Sequence, residues 1–287
     1  MIRWSLGLVV LWLSFHAFAN ITVTGERPIT YYGEKFYIDL QNGLNENSLR
    51  AELHTILSST HIFNEGTWDE ITSCQVGRTQ GCYQHLTFSY SDARKKLFGD
   101  IFLIQSDQYY LKDVYCNTSY SSQQVGGTIG PGLIPDHNVL NTEHSWPQSK
   151  FNRQFRLEQQ KSDLFILYPV STRINSSRGN IEFGEVYKTT SKTCAAAKRG
   201  HAVRGSSATY FEPPNEIKGD IARSLFYFAI RYNASLSQEQ EYFLRKWHQQ
   251  DPVDLDELMK QEKIYYFQGI RNPFIDHPSL INLMSDL

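Results

Sequence analysis

Glu143 and His144 are adjacent in the stretch NTEHSWPQSKF, directly after the apolar pair Val139-Leu140. The pattern suits a short strand that ends at a carboxylate and an imidazole. Further on, SDLFILYPVSTRINSSRGNIEFGEV carries Asn175, which begins a polar stretch ending in Arg178-Gly179-Asn180. A carboxylate and an amide oxygen are hard ligands that suit Mg²⁺, which keeps several waters and takes few protein groups. A neutral His can deprotonate a water near pH 7. An adjacent metal can stabilise the charge of a phosphoryl transition state and of the departing oxygen. Arg supplies a planar fork that fits phosphate. Together these groups could make a one-metal phosphodiesterase. On these residues alone the structural alternatives stay open: a hydrogen-bonding His among aromatics and a turn-forming Asn.

The charge pattern bears on the substrate. The chain has 28 Lys and Arg against 30 Asp and Glu, a net charge of -2, which argues against a uniformly basic nucleic-acid coat. The distribution is uneven. Residues 144–204 hold 11 basic and 4 acidic side chains, or +7, and the remainder carries -9. The expectation is a confined basic cleft on an acidic body, with salt-sensitive binding of a polyanion. A solvated surface with accidental clustering is the alternative.

The first nineteen residues read as an address. Arg3 is a short basic start, Trp4 to Phe15 is mostly apolar, and Ala17-Phe18-Ala19 is a cleavage pattern before Asn20. The expectation is a signal peptide over 1–19, a periplasmic or extracellular location and no stable membrane association. The apolar run is too short for a spanning anchor. Four cysteines, an even count in an exported chain, read as two disulfides. The expected pairs are Cys74–Cys82, which closes the polar loop QVGRTQG, and Cys116–Cys194. No spacing supports the competing zinc site.

The elements that must position these groups follow from pattern. Leu49, Leu53, Ile56 and Leu57 mark one helix face. A second helix is expected over Asp92 to Phe98, stopping at Gly99. Tyr109 to Tyr115 and Leu164 to Leu167 read as strands, and 117–138 as a long loop. The C-terminal third is helical: Ile217 to Tyr232, a helix opened by Ser237 and Gln240, and one opened by Asp254 and Glu257 with Leu255, Leu258 and Met259. Residues 20–287 are read as a single α+β domain.

The chain resembles the bacterial endonuclease I / secreted nuclease family of the His-Me finger (ββα-metal) group. EHSWPQSKF and DLFILYPVSTRINSSRGNIEFGEV resemble its catalytic core. SLRAELHTILSSTH and SYSDARKKLFGDI resemble its N-terminal part, and PPNEIKGDIARSLFYF, DPVDLDE and QGIRNPFIDHP its helical C-terminal part. The resemblance implies a ββα-metal core with a largely helical C-terminal part. It implies His144 as general base, and Glu143 and Asn175 as ligands of one Mg²⁺, for which Ca²⁺ or Mn²⁺ could substitute. Arg178 matches the RGN pattern as a catalytic candidate, and Arg223 matches GDIAR, where a structural ion pair is the favoured reading. Lys150, Arg153, Arg156 and Arg173 are the residues assigned to nucleic-acid phosphates. The family cuts DNA, and often RNA, with little sequence preference, leaving 5′-phosphates. A monomer is expected.

One departure stands out. Relatives commonly have His where this chain has Phe165. That change favours the alternative of a degenerate exported polyanion-binding protein; an RNA-restricted secreted nuclease is a third reading. Asp276-His277 is read as a packing motif and Asp136-His137 as an exposed pair in the loop.

Overall fold

The computed structural model describes residues 26–125, 128–192, 194–202 and 208–287, the side chains of 191 and 192 excepted. The signal peptide expected over 1–19 lies outside them. Helices α1 (Gly33–Gln41) and α2 (Glu46–Ser58) come first, then strands β1 (Thr60–Ile62), β2 (Glu70–Thr72) and β3 (Cys82–Tyr83). Next are α3 (Tyr90–Lys96), β4 (Leu103–Gln105), β5 (Tyr109–Asp113) and β6 (Thr118–Ser121). The central segment runs β7 (Leu140–His144), α4 (Leu157–Lys161), β8 (Leu167–Ser171) and α5 (Thr172–Arg178). It is followed by β9 (Val186–Lys192), β10 (Lys198–Ala202) and β11 (Thr209–Glu212). Helices α6 (Lys218–Arg231), α7 (Gln238–Gln250), α8 (Leu255–Gln268) and α9 (Pro273–Asp276) close the chain. The strands form small antiparallel sheets ordered β2-β1-β3, β4-β5-β6, β7-β8 and β11-β10-β9. This is the expected α+β class.

Helix α6 is the axis of the molecule. Every residue from Lys218 to Arg231 is buried. Phe228 on this helix stacks on Trp146 (4.8 Å between centroids) and on Phe151 (5.6 Å), so the aromatics of HSWPQSKF anchor the segment after His144. The buried charges of α6 are all matched. Arg223 pairs with Glu257 at 2.6 Å, as expected for a structural arginine, and Arg231 pairs with Asp163 at 2.6 Å. Asp163 also accepts from the Tyr227 and Tyr232 hydroxyls. His277 is buried and Asp276 half-buried, and they are bonded to Tyr37 and Tyr32, as a packing motif should be.

Several local expectations hold. Leu49, Leu53, Ile56 and Leu57 are all buried on α2. Ser237 and Asp254 cap α7 and α8 through the Gln240 and Glu257 amides. Others are corrected. Gly99 does not stop α3; the chain continues through a wider helical turn to Ile101. A Cβ there would meet the Gly132 nitrogen at 2.2 Å, so the glycine serves close backbone approach. The loop read over 117–138 contains β6. Leu164–Ile166 is a single 3₁₀ turn, because Asp163 caps the Phe165 amide, and the strand begins at Leu167. Asn175 lies in a helix, α5, which ends at Gly179 with φ +60°. The helix expected after Asp254 is α8, and Leu255, Leu258 and Met259 lie on its solvent side.

Both expected disulfides are present, Cys74–Cys82 and Cys116–Cys194, and the described residues contain no free cysteine. Their sequence separations are 8 and 78. Loop-closure entropy makes the longer loop worth about 4–5 kcal/mol and the shorter about 2–3. Paired Cys→Ser changes at 116 and 194 therefore lower the urea midpoint more than those at 74 and 82. An equal or reversed order in equilibrium unfolding refutes this.

Candidate active site

The β7-β8 pair and α5 build the site. In the antiparallel register Glu143 faces Tyr168 and His144 faces Leu167. Helix α5 starts immediately after β8 and packs back on both strands. That return brings Asn175 and Arg178 to the end of β7 where Glu143 and His144 sit. The Asn175 amide Nδ2 donates to the Thr142 carbonyl at 3.0 Å, so its Oδ1 is turned away from that bond.

Glu143 is buried. The Tyr115 hydroxyl donates to its Oε1 at 2.9 Å, and Arg178 Nη1 lies 3.1 Å from the same oxygen. Burial pushes the carboxyl above its usual range. The Arg178 charge, the Tyr115 hydroxyl and the His144 backbone amide pull it back. Arg178 is 1% exposed; its guanidinium donates to the His144 carbonyl at 3.0 Å and the Ser145 carbonyl at 2.6 Å. It also lies over the Phe183 ring at 4.5 Å. Arg178 thus clamps the backbone beneath the Glu-His pair.

The His144 side chain is held on three sides. Nε2–H donates to the Lys161 carbonyl at 3.0 Å. Tyr90 stacks on one face at 5.6 Å, and Phe151 lies edge-on at 6.1 Å. The Lys161 ammonium sits over Tyr90 at 4.5 Å. With Nε2 carrying the proton, Nδ1 is the acceptor nitrogen, and the exposed Gln148 amide lies 3.3 Å from it. Burial lowers the ring pKa to about 4, against a partial raising by the Lys161 carbonyl. If the neutral ring acts as base, the ring itself charges and stops serving as base only as pH falls through about 4. A kcat/KM profile should keep its acid limb well below 6.5; a limb at or above 6.5 would refute the assignment.

The four basic residues assigned to phosphates are placed differently. Lys150 is tied to Glu182 at 2.6 Å. Arg153 and Arg156 are exposed and make no ion pair among the described residues. Arg156 lines an open polar groove of about 640 Å³ with Ser58, Thr60, Gln84 and Ser89, the residue before Tyr90. Arg173 is exposed on α5. Phe165 is buried against Tyr227, 4.7 Å between centroids. Among the described residues no group of three or more His, Cys, Asp and Glu could hold a metal. A cation here would therefore rest on one carboxylate, one amide oxygen and water. That is a donor set suited to Mg²⁺ rather than to zinc.

Four neighbours of the pair were not singled out from sequence: Tyr90, Tyr115, Gln148 and Lys161. Gln148 lies inside the EHSWPQSKF motif, Tyr90 inside SYSDARKKLFGDI, Tyr115 beside Cys116 and Lys161 in the basic segment, but none of these marks a partner of the Glu-His pair.

The family model for Endonuclease I matches residues 45–279, a span that encloses β7, β8 and α5. An extracellular ribonuclease of Bacillus subtilis (strain 168) is 34% identical over 184 residues, 58% of this chain and 58% of the relative. An extracellular ribonuclease of Bacillus amyloliquefaciens is 33% identical, over 58% of this chain and 57% of the relative. An extracellular deoxyribonuclease of Aeromonas hydrophila is 27% identical, over 56% and 78%. The chain thus spans less than two thirds of the length of the two Bacillus relatives.

Proposed function

This chain belongs to the endonuclease I family, and on that premise we propose that it is an exported, non-specific endonuclease hydrolysing DNA and RNA with one Mg²⁺. The observation that supports this most is the meeting of Glu143, His144 and Asn175 at one end of the β7-β8 pair, with Nδ1 of His144 as the acceptor nitrogen. The extracellular and periplasmic nucleases among its relatives, and the two disulfides, support export.

Nδ1 takes a proton from water as that water attacks phosphorus, and the 3′-oxygen departs to leave a 5′-phosphate. The Lys161 carbonyl fixes the tautomer, and Tyr90 and Phe151 fix the ring plane. Glu143, through the carboxylate oxygen not engaged by Tyr115, and Asn175 Oδ1 would hold the ion. A bound Mg²⁺ supplies charge stabilisation for the phosphoryl transition state. Arg178 acts by positioning: it holds the His144 and Ser145 carbonyls. Arg153 and Arg156, with Arg173 and Lys150 at the flanks, hold backbone phosphates, which accounts for indifference to sequence.

Supercoiled plasmid, single-stranded DNA and RNA, each with Mg²⁺ and with EDTA, test the reading. All three are cut with Mg²⁺ and none with EDTA. Cleavage that survives EDTA removes the metal from the mechanism. Cleavage of RNA alone supports a second reading, an RNA-restricted nuclease, favoured by the two extracellular ribonucleases among the relatives.

A further inference from the structure

We propose that Gln148 is the positioning residue for the attacking water: its side-chain amide keeps the place at Nδ1 of His144 in the free protein and orients the water that replaces it. This rests on the nuclease reading above and adds a residue to it.

The geometry around His144 is asymmetric. Every contact except one restrains the ring: Nε2–H to the Lys161 carbonyl, Tyr90 on a face and Phe151 at the edge. The exception is at the acceptor nitrogen, where the Gln148 amide lies at 3.3 Å. That separation is long for a hydrogen bond, so the contact is weak and readily displaced. Gln148 is exposed, and its side chain has three rotatable bonds.

The backbone beneath it is fixed. Gln148 opens a one-turn 3₁₀ helix after Pro147. The Trp146 indole donates across that turn to the Lys150 carbonyl at 3.0 Å, and Lys150 is tied to Glu182. Trp146 in turn stacks on Phe228 of the buried helix α6. A mobile amide on a rigid turn can leave Nδ1 and stay within reach of whatever takes its place.

A carboxamide has both donors and an acceptor. When a water enters at Nδ1, one of its hydrogens points at the imidazole. Gln148 Oε1 can accept the other, which leaves an oxygen lone pair aimed at phosphorus. The O–P bond forms as the P–O3′ bond breaks. One water proton goes to Nδ1, and the 3′-oxygen takes a proton from solvent. No redox change occurs.

Steady-state cleavage of a fluorogenic DNA oligonucleotide with Mg²⁺ by wild type, Gln148→Ala and Gln148→Glu tests this. Loss of orientation lowers kcat of Gln148→Ala on the order of 10- to 100-fold while KM stays within about twofold. Gln148→Glu keeps the acceptor, so its kcat recovers most of that loss, and its charge raises KM by repelling phosphate. Unfolding midpoints of both variants match wild type because the residue is exposed. A wild-type kcat in Gln148→Ala, a raised KM with unchanged kcat, or a Gln148→Glu no faster than Gln148→Ala each overturns the assignment of Gln148 alone. A wild-type protein that leaves the oligonucleotide, plasmid and RNA intact overturns the nuclease reading and this assignment with it.

Discussion

His144→Ala lowers kcat/KM for plasmid nicking by about 10²–10⁴-fold, the usual contribution of a positioned general base. The expectation follows from the ring's two nitrogens having separate duties. Nε2–H is committed to the Lys161 carbonyl, and Nδ1 is the acceptor. Among the described residues no imidazole is hydrogen-bonded to the Glu143 carboxylate or the Asn175 amide, so none is placed to take over from His144. The fold persists, because the change removes the bond to the Lys161 carbonyl, the weak Gln148 contact and part of the packing on Tyr90 and Phe151, about 1–3 kcal/mol in all. Circular dichroism and a nicking assay on the same preparation check both halves. A variant that folds and nicks at near the wild-type rate refutes the role of His144.

Glu143→Ala is expected to cost more than activity. The carboxylate is the buried charge opposite Arg178, and Arg178 cannot leave because it also holds the His144 and Ser145 carbonyls. Removing one partner of a buried pair leaves the other charge uncompensated, at about 3–5 kcal/mol. Asn175→Ala should differ. It loses a single bond to the Thr142 carbonyl from a half-buried side chain, so its stability falls by about 1 kcal/mol. Both variants should lose metal-dependent cleavage. Equilibrium unfolding in urea separates them. Equal destabilisation by the two substitutions would show that the Glu143–Arg178 pair carries no such load.

Arg178 shows what tertiary structure adds to a residue picked out by its type. The fork geometry suits phosphate, and the RGN pattern picks it out. It is buried and bonded to two backbone carbonyls beneath Glu143 and His144, and the positioning role proposed above rests on that placement. The uneven charge of residues 144–204 is similarly reshaped. Lys150, Arg178 and Lys198 are paired with Glu182, Glu143 and Glu212, while Arg153 and Arg156 are exposed and make no ion pair among the described residues. A count of charges along the chain does not see these partners, because each lies more than a few residues away.

The sequence by itself determined what local physics controls. The strand ending at Glu143-His144, the capped starts of α7 and α8, the buried face of α2 and the presence of two disulfides are all legible there. Periodicity, side-chain caps and cysteine count act over a few residues or over the whole composition. Only the tertiary structure decided which groups orient the pair. Tyr115 reaches Glu143 across 28 residues, Arg178 reaches the His144 carbonyl across 34, and Asp163 is bonded to Arg231 across 68. Hydrogen-bond satisfaction in a buried site is a property of packing. A tyrosine, an arginine and an aspartate carry no mark in the chain of the partner that packing will give them.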